Sequence, residues 1–124
     1  MRLNPECVRM ILMICEQNLN NHNIVRFGMD FDTYNNLFDG NELQYTAKKL
    51  IEGKLLKGRS IGNVQTEINE ITWEGHKFLD NIRDDFVWKS VISKVEKLES
   101  VSIPILSQIA QQTVLDIIKT PKKN

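Results

Sequence analysis

Excess charge of either sign is missing from this chain. Its 124 residues carry 16 lysines and arginines against 16 aspartates and glutamates. No global field draws it to nucleic acid or to an anionic surface, so any such binding must come from a local patch. Cysteine is scarce, with two residues, Cys7 and Cys15, on one predicted helix. They lie about 12 Å apart along its axis, beyond the roughly 7 Å between Cα atoms that a disulfide tolerates. Buried thiols in a reducing cytoplasm are the expectation. No apolar run approaches the roughly 18 residues of a membrane span. The opening MRLNPECVRM lacks the uninterrupted apolar stretch of a secretory signal. A phosphate-binding glycine loop is also lacking, since Gly58 and Gly62 belong to a strand and a turn.

Catalytic and metal-binding sets are equally sparse. Cys7 or Cys15 with His22 or His76 would be needed for a nucleophile pair, yet both cysteines sit on an apolar helix. His76 near Glu74 and Asp80 has no recognisable ligand spacing. We therefore expect no enzyme activity, no cofactor and no metal. What remains is ordinary for a globular chain: 41% apolar and 26% charged residues, in a length that suits one domain rather than two.

Local signals give an order of elements. Asn4-Pro5 is a helix start, with Asn as cap and Pro at the first helical position. Val8, Ile11, Leu12, Cys15 and Leu19 follow at helical spacing. Ile24 to Phe31 reads as a short strand broken by Gly28. Asp32 is placed to cap a short helix over Thr33 to Asp39, ended by Gly40. Asn41 then caps a helix over Glu42 to Glu52, whose Leu43, Ala47 and Leu50 fall on one face, and Gly53 stops it. Leu55 to Ile61 and Gln65 to Ile71 are candidate strands around Gly62-Asn63. Thr72 caps the next helix. Gly75 in its first turn suggests close approach to the sheet, because glycine is otherwise poor in a helix.

This order predicts an α+β fold, mainly α with a small β-hairpin. We expect a winged-helix domain over residues 1–83 and a C-terminal two-helix extension over 84–124. In the extension Asp84-Asp85 starts one helix, running to about Leu98, and Ser102 caps the last, with Pro104 tolerated in its first turn. Trp88, Val91, Val95 and Leu98, then Ile103, Leu106, Ala110, Thr113 and Ile117, recur at seam-like spacings of three and four. Two readings stay open for them: packing as an antiparallel helical hairpin within the chain, or pairing with a second copy. Gln108, Gln111, Gln112 and Asp116 argue against membrane insertion.

Charge is balanced overall but segregated along the chain. Residues 40–65 carry a net +3, while residues 66–86 carry −4. The basic block holds the helix before the hairpin and the first hairpin strand. A helix entering a major groove needs a polar outward face with reach, and Gln44, Tyr45, Lys48 and Lys49 supply one. Lys57 and Arg59 are placed to meet phosphates nearby. These six are the candidate DNA contacts; the plainer reading is a solvated surface, and Glu42 and Glu52 in the same helix oppose phosphate.

The stretches MRLNPECVRMIL, NELQYTAKKLIEGKLL and ITWEGHKFLDNIRDD together resemble the domain-of-unknown-function family numbered 2513. The similarity covers roughly residues 1–90, and Ile71 to Arg83 is its most specific piece. The resemblance implies a winged-helix-like N-terminal part and a setting in phages, prophages and Gram-positive genomes, hence a bacterial host cytoplasm. It implies no activity. This chain departs from it at Tyr45-Thr46, where the family tends to carry Tyr-His, and at Gly53, one position earlier than usual. Two functions follow as expectations. One is a small transcriptional regulator binding double-stranded DNA. The other is a phage accessory or anti-defence protein that binds and modulates a host or phage protein without touching nucleic acid.

Overall fold

A computed structural model describes residues 2–19, 23–28 and 38–119. Among these it forms five helices and one three-stranded antiparallel sheet, an α+β architecture. Helix α1 (Pro5–Asn18) is capped by the Asn4 side chain, which accepts from the Glu6 amide. Strand β1 (Val25–Gly28) follows. Helix α2 (Gly40–Glu52) leads into β2 (Leu56–Ile61) and β3 (Gln65–Ile71). Then come α3 (Trp73–Ile82), α4 (Asp85–Val95) and α5 (Ile103–Lys119).

The start of α2 differs from the expectation. Asp39, not Asn41, is its cap, with the side chain accepting from Glu42 N at 2.8 Å, and Gly40 opens the helix rather than closing a preceding one. An aspartate three residues before a free amide outcompetes an asparagine already inside the first turn. The helix read over Thr33 to Asp39 lies mostly outside the described residues, and Phe38 and Asp39 are not helical. Helix α4 ends at Val95 rather than near Leu98, and the Lys97 and Leu98 amides turn back to the carbonyls of Lys94 and Val95.

The sheet order is β1-β3-β2, so the strand last in sequence lies at the centre. β3 pairs with β2 through a short turn at residues 62–64, where Gly62 takes a φ of +58°. Gly58 sits at an irregularity in that pairing: a Cβ there would lie 2.0 Å from the Glu67 carbonyl oxygen. Gly75 is similarly required, since a Cβ would fall 2.1 Å from the Leu55 carbonyl oxygen. The close approach read from its place in the helix is the one observed.

Helix α1 lies at the centre, burying Cys7, Val8, Ile11, Leu12 and Cys15 against α2, α3 and β3. The core continues from there without a break into Trp88, Val91, Ile103, Leu106 and Ala110. Arg9 fastens α1 to the α3–α4 junction. It donates to the carbonyls of Ile82 (2.9 Å) and Arg83 (2.8 Å) and to Asp85, while its guanidinium lies 5.4 Å from the Trp88 ring centroid. The Trp88 indole N–H in turn donates to Glu6. Helix α5 packs on α4 and α3, and Lys94 near the end of α4 reaches Thr113 Oγ1, beyond the middle of α5, at 2.7 Å. Among the described residues no helix is long and apolar enough to cross a membrane.

Candidate nucleic-acid interface

The candidate contacts sit on two elements, which the fold treats differently. On α2, Leu43, Thr46, Ala47 and Leu50 are buried and fix the helix on the core. That orientation leaves Lys48 exposed, flanked by half-buried Gln44, Tyr45 and Lys49. Lys49 is engaged: its Nζ lies 3.0 Å from Glu52 Oε2 and 5.5 Å from the Tyr45 ring centroid. The hydrogen bond to Glu52 raises its pKa. Lys48 forms no ion pair among the described residues.

On the hairpin both candidate cations are paired across strands. Lys57 Nζ lies 3.6 Å from Glu70, and Arg59 Nε donates to Glu67 Oε1 at 3.1 Å. A third cation, Arg26 on β1, donates from Nε to the other oxygen of Glu67 at 3.0 Å. The two guanidinium groups hold the Glu67 carboxyl below the usual carboxylate range, Arg59 more strongly than Arg26.

Register decides which side these groups occupy. The Thr66 hydroxyl donates to the Gln44 carbonyl at 3.5 Å, so Thr66 faces α2. Successive strand residues alternate sides. Glu67 therefore faces away from α2, and so do its cross-strand partners Arg26 and Arg59. The structure brings Gln44, Tyr45, Lys48 and Lys49 together on α2, but sets Arg59 on the other face of the sheet rather than beside them.

Sequence reasoning missed Glu67 and Arg26. A signal for Glu67 was present: a turn centred on Asn63 puts Arg59 opposite Glu67, where the basic block meets the acidic one. Arg26 had no local signal, because β1 joins β3 across about forty residues of chain. Of the seam positions, Trp88, Val91, Val95, Ile103, Leu106 and Ala110 are buried within the chain, while Leu98 and Ile117 lie on the surface.

The groups considered for chemistry lie apart. Burial pushes the Cys7 thiol up to about 11, a neighbouring Thr46 hydroxyl opposing part of the rise, and pushes Cys15 up to about 12. Neither offers a thiolate near neutral pH. His76 is exposed on α3, and His22 lies outside the described residues. Among the described residues no group of three His, Cys, Asp or Glu is arranged to hold a metal ion.

Comparison with known proteins adds kinship. Residues 2–102 match the profile of the family of hypothetical proteins DUF2513. The chain belongs to this family. The DUF2513 match ends where α5 begins. An uncharacterized protein of Haemophilus influenzae strain Rd is 28% identical over 85 residues, covering 65% of this chain and 72% of that protein. No solved structure matches. Within the stretch ITWEGHKFL, packing accounts for most positions: Ile71, Gly75, Phe78 and Leu79 are buried and Thr72 caps α3. Trp73, Glu74, His76 and Lys77 are exposed, and Trp73, at 73%, is the large apolar side chain among them.

Proposed function

We propose that this DUF2513 protein is a non-enzymatic winged-helix protein that binds double-stranded DNA through α2, as a transcriptional regulator of a phage or mobile element in its bacterial host's cytoplasm. The carrying observation is Lys48, exposed and without an ion-pair partner among the described residues, on a helix whose opposite face is fixed in the core. The order of α1, β1, α2 and hairpin, with sheet order β1-β3-β2, supports the winged-helix reading. Residues 1–83 would form the binding part, and residues 84–124 its buttress. Leu115, Ile117 and Ile118 at the exposed end of α5 would support a homodimer, presenting two α2 helices to two half-sites.

An electrophoretic shift with DNA from upstream of the gene, at moderate salt, tests this. Lys48→Ala should weaken the shift and lower the slope of log affinity against log salt by about 1. An absent shift, or one indifferent to this change, would sink the proposal.

The exposed aromatics Trp73 and Phe86 favour a second reading, a phage accessory protein that modulates a host protein. Large aromatics are enriched at interface hot spots. A pull-down in which Trp73→Ala abolishes a defined partner would support it; retention of that partner would count against it.

A further inference from the structure

The sheet face turned away from α2 carries a row of three charged residues, one from each strand. Register aligns Arg26 on β1, Glu67 on β3 and Arg59 on β2. The two carboxylate oxygens of Glu67 each accept from one Nε, at 3.0 Å from Arg26 and 3.1 Å from Arg59. Glu67 is nearly covered, its side chain 10% exposed, whereas those of Arg26 and Arg59 are 45% and 74% exposed. Both Nε groups are thus occupied, while the terminal Nη groups of the two guanidiniums make no hydrogen bond among the described residues. The row keeps a net charge of +1 and two planar donor edges of the kind that match phosphate oxygens bidentately. Sharing one carboxylate restrains both side chains, so less conformational freedom is lost when they meet a ligand.

We propose that Arg26 and Arg59, held by Glu67, form a phosphate-binding pair for the backbone of nucleic acid. The pair is an extended row rather than a cup. Its arginines stand on strands two places apart, roughly 10 Å between backbones. Glu67 lies between the two guanidiniums, which therefore flank a carboxylate instead of enclosing a shared anion pocket, an arrangement that suits phosphates along a polyanion better than one small ion. Farther along β2, Lys57 pairs with Glu70 at 3.6 Å and adds no net charge, so the row itself is the positive part of this face. The inference deepens the nucleic-acid reading, but it needs no contact from α2.

The test records arginine Nε–H and backbone amide NMR signals of the full chain during titration with a duplex of arbitrary sequence, about 20 base pairs, at low salt. The Arg26 and Arg59 side-chain signals should shift. The variant R26Q/E67Q/R59Q removes both guanidiniums without stranding a carboxylate. With its melting temperature checked, it should lower the salt slope of binding by about 2. Bound duplex with unmoved Arg26 and Arg59 signals would overturn the pair even if the α2 amides respond. Shifts at the arginines with silent α2 amides would leave the pair standing and remove α2 instead. An equal response to inorganic phosphate at matched phosphate concentration would overturn the nucleic-acid assignment, and absence of duplex binding at low salt would overturn both.

Discussion

Helix α2 and the β2–β3 hairpin share one basic stretch of sequence, yet their charges meet different fates. The hairpin folds the basic block back onto the acidic one, so that Lys57 finds Glu70 and Arg59 finds Glu67. Helix α2 has no such partner strand. Its ion pair is local, Lys49 to Glu52, and Lys48 stays outside it. Segregation of charge along a chain therefore does not survive folding as segregation in space. An antiparallel hairpin cancels it across its ladder, whereas a helix keeps whatever its outward face carries. The same zipper lowers the field that residues 40–65 would otherwise project, which concentrates the case for α2 on Lys48.

Disrupting the zipper should give the largest effect. A Cβ at position 58 would meet the Glu67 backbone carbonyl at 2.0 Å, and backbone cannot step aside as a side-chain tip can. Gly58→Ala is expected to cost about 3 kcal/mol through this overlap, read as a lower midpoint in urea unfolding. An unchanged midpoint would mean that β2 and β3 do not pair in this register. A glycine-to-alanine change at Gly62 meets no atom within 4 Å but keeps a positive φ, and should be milder.

Acid should expose a smaller contribution. Arg59 and Arg26 favour the charged form of Glu67 in the folded chain. As pH falls the unfolded chain takes up this proton first, so the row's stabilisation is complete above the ordinary glutamate range and is lost as pH drops through the lower folded value. Glu67→Gln should be less stable than the parent near neutrality, with the gap narrowing in acid. Urea titrations at several pH values would reveal it. A gap constant with pH would show that the carboxylate charge, as opposed to its shape, does nothing here.

These effects separate what sequence discloses from what it hides. Caps at Asn4 and Thr72 and the helix start at Asp84-Asp85 were legible because the chemistry of helix starts is confined to neighbouring residues. The hairpin strands were legible for a related reason, since a turn residue with positive φ fixes a local register. The need for glycine at position 75 could also be read, from a residue that only close approach explains. The sides of the sheet could not. They depend on Thr66 finding Gln44, and on β1 joining β3, both contacts between distant segments. The seam positions of α4 and α5 had the right periodicity, but periodicity says only that a stripe is covered. That α1 shares in covering it follows from Arg9 and Glu6 meeting the α3–α4 junction and Trp88, contacts spanning more than seventy residues, and α3 packs on both α4 and α5.

The finest comparison sets Lys57 against Lys48, two exposed lysines of the same block. Lys57 faces Glu70 at 3.6 Å with both side chains more than half exposed. A double-mutant cycle of Lys57→Ala and Glu70→Ala should therefore return a coupling of only about 0.3 kcal/mol, falling further as salt rises. Lys48→Ala should leave stability within about 0.5 kcal/mol of the parent, because Lys48 is exposed and makes no ion pair among the described residues. For binding of duplex DNA the order should invert. Lys48 brings an uncompensated charge to a phosphate, while Lys57 must first be drawn from its carboxylate, so Lys48→Ala should weaken binding more. If Lys57→Ala proves the more damaging at every salt concentration, the hairpin and not the helix is the principal contact surface, and the reading of α2 as the groove-facing element fails.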